Sequence, residues 1–174
     1  TMIPETDGPP GAVALSRAII EGLDGNVIVG CDPGAVEICS ATARAGGLSV
    51  VRREELFESR QSVAVEPVPS GHSDAEVYAS ELANLEPTAI IAIEKVGPNR
   101  EGVYHNMAGM NVSDASAEVR PLFDKLDDTM SVAVGDGGNE VGMGGIEGII
   151  RDAIDHGAKC QCECRSGIAC TLET

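Results

Sequence analysis

Tryptophan is missing from this sequence, and phenylalanine and tyrosine occur only twice each. An aromatic core is therefore excluded, and the apolar content comes from Ala, Val, Ile and Leu, the residue types that fill parallel strands covered by helices. Lysine is nearly as scarce, with Lys95, Lys125 and Lys159 against nine arginines, and the formal net charge is −16. So negative a surface repels phosphate backbones and anionic headgroups, which excludes nucleic acid and membrane surfaces as partners. The acids are spread over many segments instead of forming a tail. That spread suits either a salt-adapted protein, whose self-repulsion is screened within about 3 Å at 1 M salt, or a merely acidic one. No apolar run approaches the roughly 20 residues of a membrane span. A signal peptide's basic region and apolar stretch are also lacking, so the expected compartment is the cytoplasm.

What is present is enough for one core: 174 residues, 43% of them apolar, predict a single domain. Six cysteines permit a disulfide framework, but a chain with its own aliphatic core does not require one. Short apolar runs at Val27–Gly30, Leu48–Val51, Ser62–Val68, Thr88–Ile93 and Ser131–Val134 predict strands. Helical spacing follows at Ala12–Leu23, Ala35–Ala45 and Ile146–His156. Another helix is expected from Ser73 to about Leu85, with Ser73 as N-cap and Glu76 closing a capping box. Alternating strands and helices predict an α/β fold, a mostly parallel sheet with helices on both faces. Its ligand-binding edge lies at the strand C-terminal ends. The segment Lys159–Thr171 alternates Cys162 and Cys164 with Gln161, Glu163 and Arg165 and reads as an edge strand. The chain opens on a motif at residue 5 and closes without a cap, so it reads as a fragment of a longer domain.

Three acid-bearing bends could carry chemistry. Glu5-Thr6-Asp7-Gly8-Pro9-Pro10-Gly11 is a stiff turn feeding a helix N-terminus, where backbone N–H groups favour an anion. It either presents a carboxylate and an anion cradle or is an ordinary helix entry capped by Asp7. Glu94-Lys95 directly follows the best strand candidate and precedes Tyr104, His105 and Asn106 in one loop; for His105 alone, a satisfied loop residue is the plainer reading. Gly135–Gly145 holds six glycines in eleven residues, which permits close backbone approach to a ligand. It lacks the spacing of a dinucleotide fingerprint or a P-loop, so no nucleotide cofactor is expected. Asp136, Asn139 and Glu140 within it, with Glu5 and Asp7 from the first bend, offer the oxygen ligands that Mg²⁺ or Mn²⁺ prefer. A fourth cluster, Cys160-Gln161-Cys162-Glu163-Cys164, places three thiols on one face of a strand. Paired zinc ligands are usually two to four residues apart and no second pair is present, so small buried side chains are the preferred reading over a metal.

In this order the motifs E-T-D-G-P-P-G-A (Glu5–Ala12), I-E-K-V-G (93–97) with G-V-Y-H-N (102–106), and G-D-G-G-N-E-V-G-M-G (Gly135–Gly144) resemble the family of D-glutamate cyclase C-terminal domains over roughly residues 4–157. Lys95 stands where that family usually has arginine, exchanging a bidentate fork for a point charge. The resemblance implies a hydro-lyase that converts D-glutamate into 5-oxo-D-proline and water. It implies Glu94, Asp136, Glu140 and His105 as the catalytic set and Asp7, Gly8, Gly11, Lys95, Tyr104, Asn106, Gly137, Gly138 and Asn139 as substrate contacts. A divalent cation held by Asp136, Asn139, Glu140, Glu5 and Asp7 would polarise the γ-carboxyl. The same acids suit a metal-dependent phosphohydrolase acting on a small phosphate ester, or a non-catalytic small-anion-binding domain. A small anionic substrate is the expected partner in each case, and a homo-oligomer the expected assembly.

Overall fold

β-Branched runs that end in glycine, proline or a polar pair form the strands, and helices follow where the apolar period changes from two to about 3.6. The computed structural model describes residues 7–174, which divide into two compact units, one ending at Val68 and the other running over Pro69–Thr174. Both are mixed α/β, and every paired strand is parallel, as the alternation predicts.

The first unit begins with α1 (Gly8–Leu23), capped by Asp7, whose Oδ1 accepts the Gly8 N–H at 3.0 Å. Pro9 and Pro10 lie inside the first turn, where a helix has no use for their absent N–H groups, so α1 starts four residues before the expected Ala12. Strands β1 (Ile28–Cys31), β2 (Ser49–Val51) and β3 (Ser62–Pro67) form a sheet in the order β1-β3-β2. As the middle strand, β3 tolerates proline only at its final position. Helix α2 (Val36–Ala45) connects β1 to β2. Val13 of α1 and Ala43 of α2 pack with Leu48 and Val63, and Val27, Val29, Val50 and Val65 close around them. Arg53 and Glu66 pair at 2.7 Å with less than a fifth of either side chain exposed.

In the second unit, β4 (Ala89–Ile93) and β5 (Met130–Val134) pair in parallel from Ala89 opposite Met130 to Ile93 opposite Val134. Helix α3 (His72–Ala83) packs on α4 (Arg120–Lys125), where Lys125 Nζ meets Glu76 Oε2 at 3.1 Å. The expected capping box at Ser73 does not form. The helix starts two residues earlier than a Ser73 cap would set it, Gly71 holds the cap position without a side-chain bond, and Glu76 turns to Lys125. Helix α5 (Glu147–Ala153) is shorter than the expected Ile146–His156 because Ile154 is already extended. The expected edge strand at Lys159–Thr171 is also absent: the segment is a series of turns. Its thiols gather around a histidine, which a strand laid along a sheet edge would not allow. Among the described residues no helix is long and apolar enough to cross a membrane.

Candidate active site

The pairing of β4 with β5 fixes where the chain's most distinctive acids emerge. Ile93 lies opposite Val134, so Glu94 and the Gly135-Asp136 turn leave the two strands at the same C-terminal end, the ligand-binding edge of a parallel sheet. The Glu94 N–H donates to the Val134 carbonyl at 2.9 Å. Its φ of 49°, uncommon for a side chain larger than glycine, bends the chain out of the strand. Beyond this bend the two loops are stitched together. Val141 N–H donates to Lys95 O at 2.8 Å, Gly97 N–H donates to Asn139 O at 2.9 Å, and Val96 bridges Glu140.

Glu140 folds back under its own loop. Its Oε1 accepts the Gly137 N–H at 2.9 Å and its Oε2 the Gly138 N–H at 2.7 Å, and the residue is only 6% exposed. The fold-back needs glycine at 135, because a Cβ there would lie 2.7 to 3.1 Å from the Glu140 Cβ, Cγ and Cδ. Gly138 has φ +99° and a Cβ on it would meet Ile150 at 2.6 Å, so the turn is closed to other residues on two counts. The result is a cluster graded in exposure: Asp136 exposed, Glu94 half-buried and Glu140 buried, with one carboxylate oxygen from each within 4.8 Å of the others. Two carboxylates at that separation repel by roughly 3 kcal/mol at an effective dielectric near 20. A hard divalent cation would cancel the repulsion, and the all-oxygen donor set is of the right kind for Mg²⁺ or Mn²⁺. Both Glu140 oxygens retain a lone pair beyond the one facing glycine.

Other residues singled out in the sequence have partners of their own. Gly8 N–H is taken by the Asp7 carboxylate and Gly11 N–H by the Asp7 carbonyl at 3.0 Å, so Asp7 is a helix cap in the first unit. Glu5 lies outside the described residues. The N–H groups of Gly137 and Gly138 serve Glu140. Asn139 is buried, and its Nδ2 donates to His105 O at 2.7 Å. Asn106 Oδ1 accepts the Met110 N–H at 3.1 Å in a local turn. Lys95 is half-buried beside Glu94.

Tyr104 is buried, donates its hydroxyl proton to Glu118 Oε1 at 2.8 Å and accepts the Val119 N–H at 3.0 Å. Burial first, and then the bond to Glu118, push its hydroxyl well above the ordinary 10.0. The folded state therefore favours the neutral phenol. Its contribution to stability is fully present below pH 10 and declines at higher pH, where the unfolded chain gives up the proton first. Tyr104→Phe leaves the Val119 N–H without its acceptor. We expect a loss of about 1–3 kcal/mol and a flatter alkaline decline, measured by denaturant melts at about pH 8 and about pH 11.

His105 joins a second cluster that sequence reasoning left as a strand. It is fully buried, with Nδ1 3.1 Å from Val103 O and Nε2 3.1 Å from Cys162 Sγ and 3.6 Å from Cys164 Sγ. Burial lowers its pKa and favours the neutral ring. Cys160, Cys162 and Cys164 are mutually 3.3 to 3.4 Å apart, and all are free thiols. Burial raises the Cys160 thiol, but the Cys164 thiol, the Gly167 backbone and Cys162 outweigh it and bring it down to about 7. The usable signal was the one-face placement of the thiols together with a buried histidine far away in the sequence.

Residues 1–173 match the family described as "D-glutamate cyclase-like, C-terminal". The human protein "D-glutamate cyclase, mitochondrial" is 32% identical over 177 residues, covering 95% of this chain. The chain spans 27% of the length of that relative. The carboxylate cluster at the ends of β4 and β5 is built from the two central motifs of the resemblance, and the match runs through both of them: the chain belongs to the D-glutamate cyclase-like C-terminal family.

Proposed function

We propose that this chain carries the site of a hydro-lyase that closes D-glutamate into 5-oxo-D-proline with release of water. The observation that supports it most is the Glu94, Asp136 and Glu140 cluster at one end of β4 and β5, in a chain similar to a protein named D-glutamate cyclase. In this reaction the substrate nitrogen forms a bond to the γ-carbon and one γ-oxygen leaves. The two protons lost from the ammonium balance the two that leave with that oxygen as water. Because nucleophile and electrophile share one molecule, holding the folded conformer supplies much of the rate. The obstacle is that the γ-carboxylate is anionic and a poor electrophile.

Glu94 is our choice for the base, because it stands at the rim, half-buried and therefore open to substrate. Asp136 and Glu140 would hold a divalent cation, which supplies Lewis-acid polarisation of the γ-carboxyl and offsets the repulsion between an acidic site and an acidic substrate. Lys95, next to the base, is assigned the α-carboxylate. Asp136, the exposed acid, is the group best placed to exchange protons with solvent as water departs.

A phosphohydrolase would share the cation but needs free N–H groups for phosphate. Gly8, Gly11, Gly137 and Gly138 already donate to Asp7 and Glu140, so that reading ranks second. Incubation with D-glutamate and, separately, with a generic phosphate ester, each with Mg²⁺ or Mn²⁺, separates them. We expect 5-oxo-D-proline by chiral chromatography and no phosphate release. A rise in melting temperature with D-glutamate but no product would mean a binding domain instead. Gly135→Ala tests the geometry: its methyl displaces Glu140, and turnover is expected to fall about tenfold, less than the ~10² of a full 1 Å misplacement. Wild-type turnover in that variant would place Glu140 outside the reaction.

A further inference from the structure

We propose that His105, Cys160, Cys162 and Cys164 form a closed, structural zinc site that fastens the C-terminal turns to the loop after β4. The four ligand atoms lie within 4.8 Å of one another. A tetrahedral Zn²⁺ with Zn–S near 2.3 Å and Zn–N near 2.0 Å sets sulfurs about 3.7 Å apart and nitrogen about 3.5 Å from sulfur. The observed sulfur separations are 3.3 to 3.4 Å, and Nε2 stands 3.1 and 3.6 Å from two of the sulfurs. Ligand atoms thus need to move by only a few tenths of an ångström around a central ion. Three thiols and an imidazole are a soft set that selects zinc over the hard cations suited to the carboxylate cluster.

The surroundings are those of a metal ligand shell. The His105 Nδ1 faces the Val103 carbonyl at 3.1 Å, which fixes the proton on Nδ1 and aims the Nε2 lone pair at the sulfurs. Asn99, almost fully buried, donates through Nδ2 to Cys164 Sγ at 3.5 Å and to Gly167 O at 2.8 Å. Its Oδ1 accepts the N–H groups of Glu101 and Val103 at 2.9 and 3.0 Å, so its orientation is set by three backbone partners. Hydrogen bonds of this kind to thiolate sulfur hold ligands in place and spread their charge. With all four positions filled by protein, no coordination site is left for substrate, which is the mark of a structural centre. The centre also reaches the candidate active site. The His105 carbonyl accepts the Asn139 side chain at 2.7 Å, and Asn139 is the neighbour of Glu140. The zinc would therefore help set the glycine loop without touching substrate.

The test uses the 174-residue chain, purified with reductant and dialysed against zinc with excess Mg²⁺. Elemental analysis should find one zinc per chain, and replacement by Co²⁺ should give the intense visible absorption and sulfur-to-metal charge transfer of a tetrahedral thiolate site. Cys162→Ser and His105→Ala should each weaken zinc binding at least tenfold, whereas Glu94→Gln should keep it in full. Should those two variants fail to fold, the wild type still decides. Zinc should slow alkylation of Cys160, Cys162 and Cys164, mapped by mass spectrometry, and leave Cys31 and Cys39 unchanged. Zinc absent from the wild type, a pale octahedral Co²⁺ spectrum, unchanged alkylation of the three thiols, or a disulfide among them that forms equally fast with zinc present would each overturn the proposal.

Discussion

Glu94→Gln is expected to lower kcat for D-glutamate cyclisation by about 10²–10⁴-fold, the usual worth of a positioned general base, while KM changes little. Glutamine keeps the size of the side chain and cannot accept the amine proton. The bend that presents residue 94 is held by its backbone N–H on Val134 O at 2.9 Å and by the Lys95 carbonyl on the Val141 N–H at 2.8 Å, and both bonds survive the change. The melting temperature should accordingly stay close to that of the wild type. Steady-state kinetics beside a thermal melt checks the separation. An unchanged kcat would move the base elsewhere, and a collapsed melt would mean that Glu94 serves the fold.

Glu140→Ala is expected to fail in both respects. It removes the acceptor of two buried N–H groups at once, those of Gly137 and Gly138. At about 1–3 kcal/mol for each unsatisfied buried donor, the loss is roughly 2–6 kcal/mol, reduced where water enters the vacated space. It also deletes one of the three clustered carboxylates, so turnover should be abolished. Glu140→Gln separates the two effects. Its amide oxygen can still accept one glycine N–H, while its NH₂ must face the other, so roughly half of the stability loss should return without turnover. Denaturant melts and product assays on both variants check this. If Glu140→Ala is as stable as the wild type, the side chain does not hold the glycine turn.

The strands were legible because their physics is local. A run of β-branched residues and alanine such as Thr88–Ile93, stopped by Glu94-Lys95, allows few other placements, and parallel pairing then follows from the helix between strands. The glycine loop was legible as a functional turn from its composition, although the sequence could not say that Glu140 would occupy the N–H groups first expected to meet substrate. Caps were less legible: Ser73 and Glu76 fit a capping box, but the pull of Lys125, 49 positions after Glu76 and on another helix, is invisible in a local window. The tail was misread for a related reason. Period-two alternation keeps Cys160, Cys162 and Cys164 on one side whether the chain is a strand or a tight turn. Only the long-range approach of His105, 57 positions before Cys162, distinguishes the two. His105 itself was expected among the catalytic groups, and its ring instead faces the thiols.

The most direct test of the central claim is amide NMR of the chain titrated with D-glutamate in the presence of Mg²⁺. We predict chemical-shift changes concentrated on residues 94–97 and 135–140, saturating together, with those of the Cys160–Cys164 turn following weakly through Asn139. Saturable changes centred elsewhere, with residues 94 and 135–140 silent, would contradict the account.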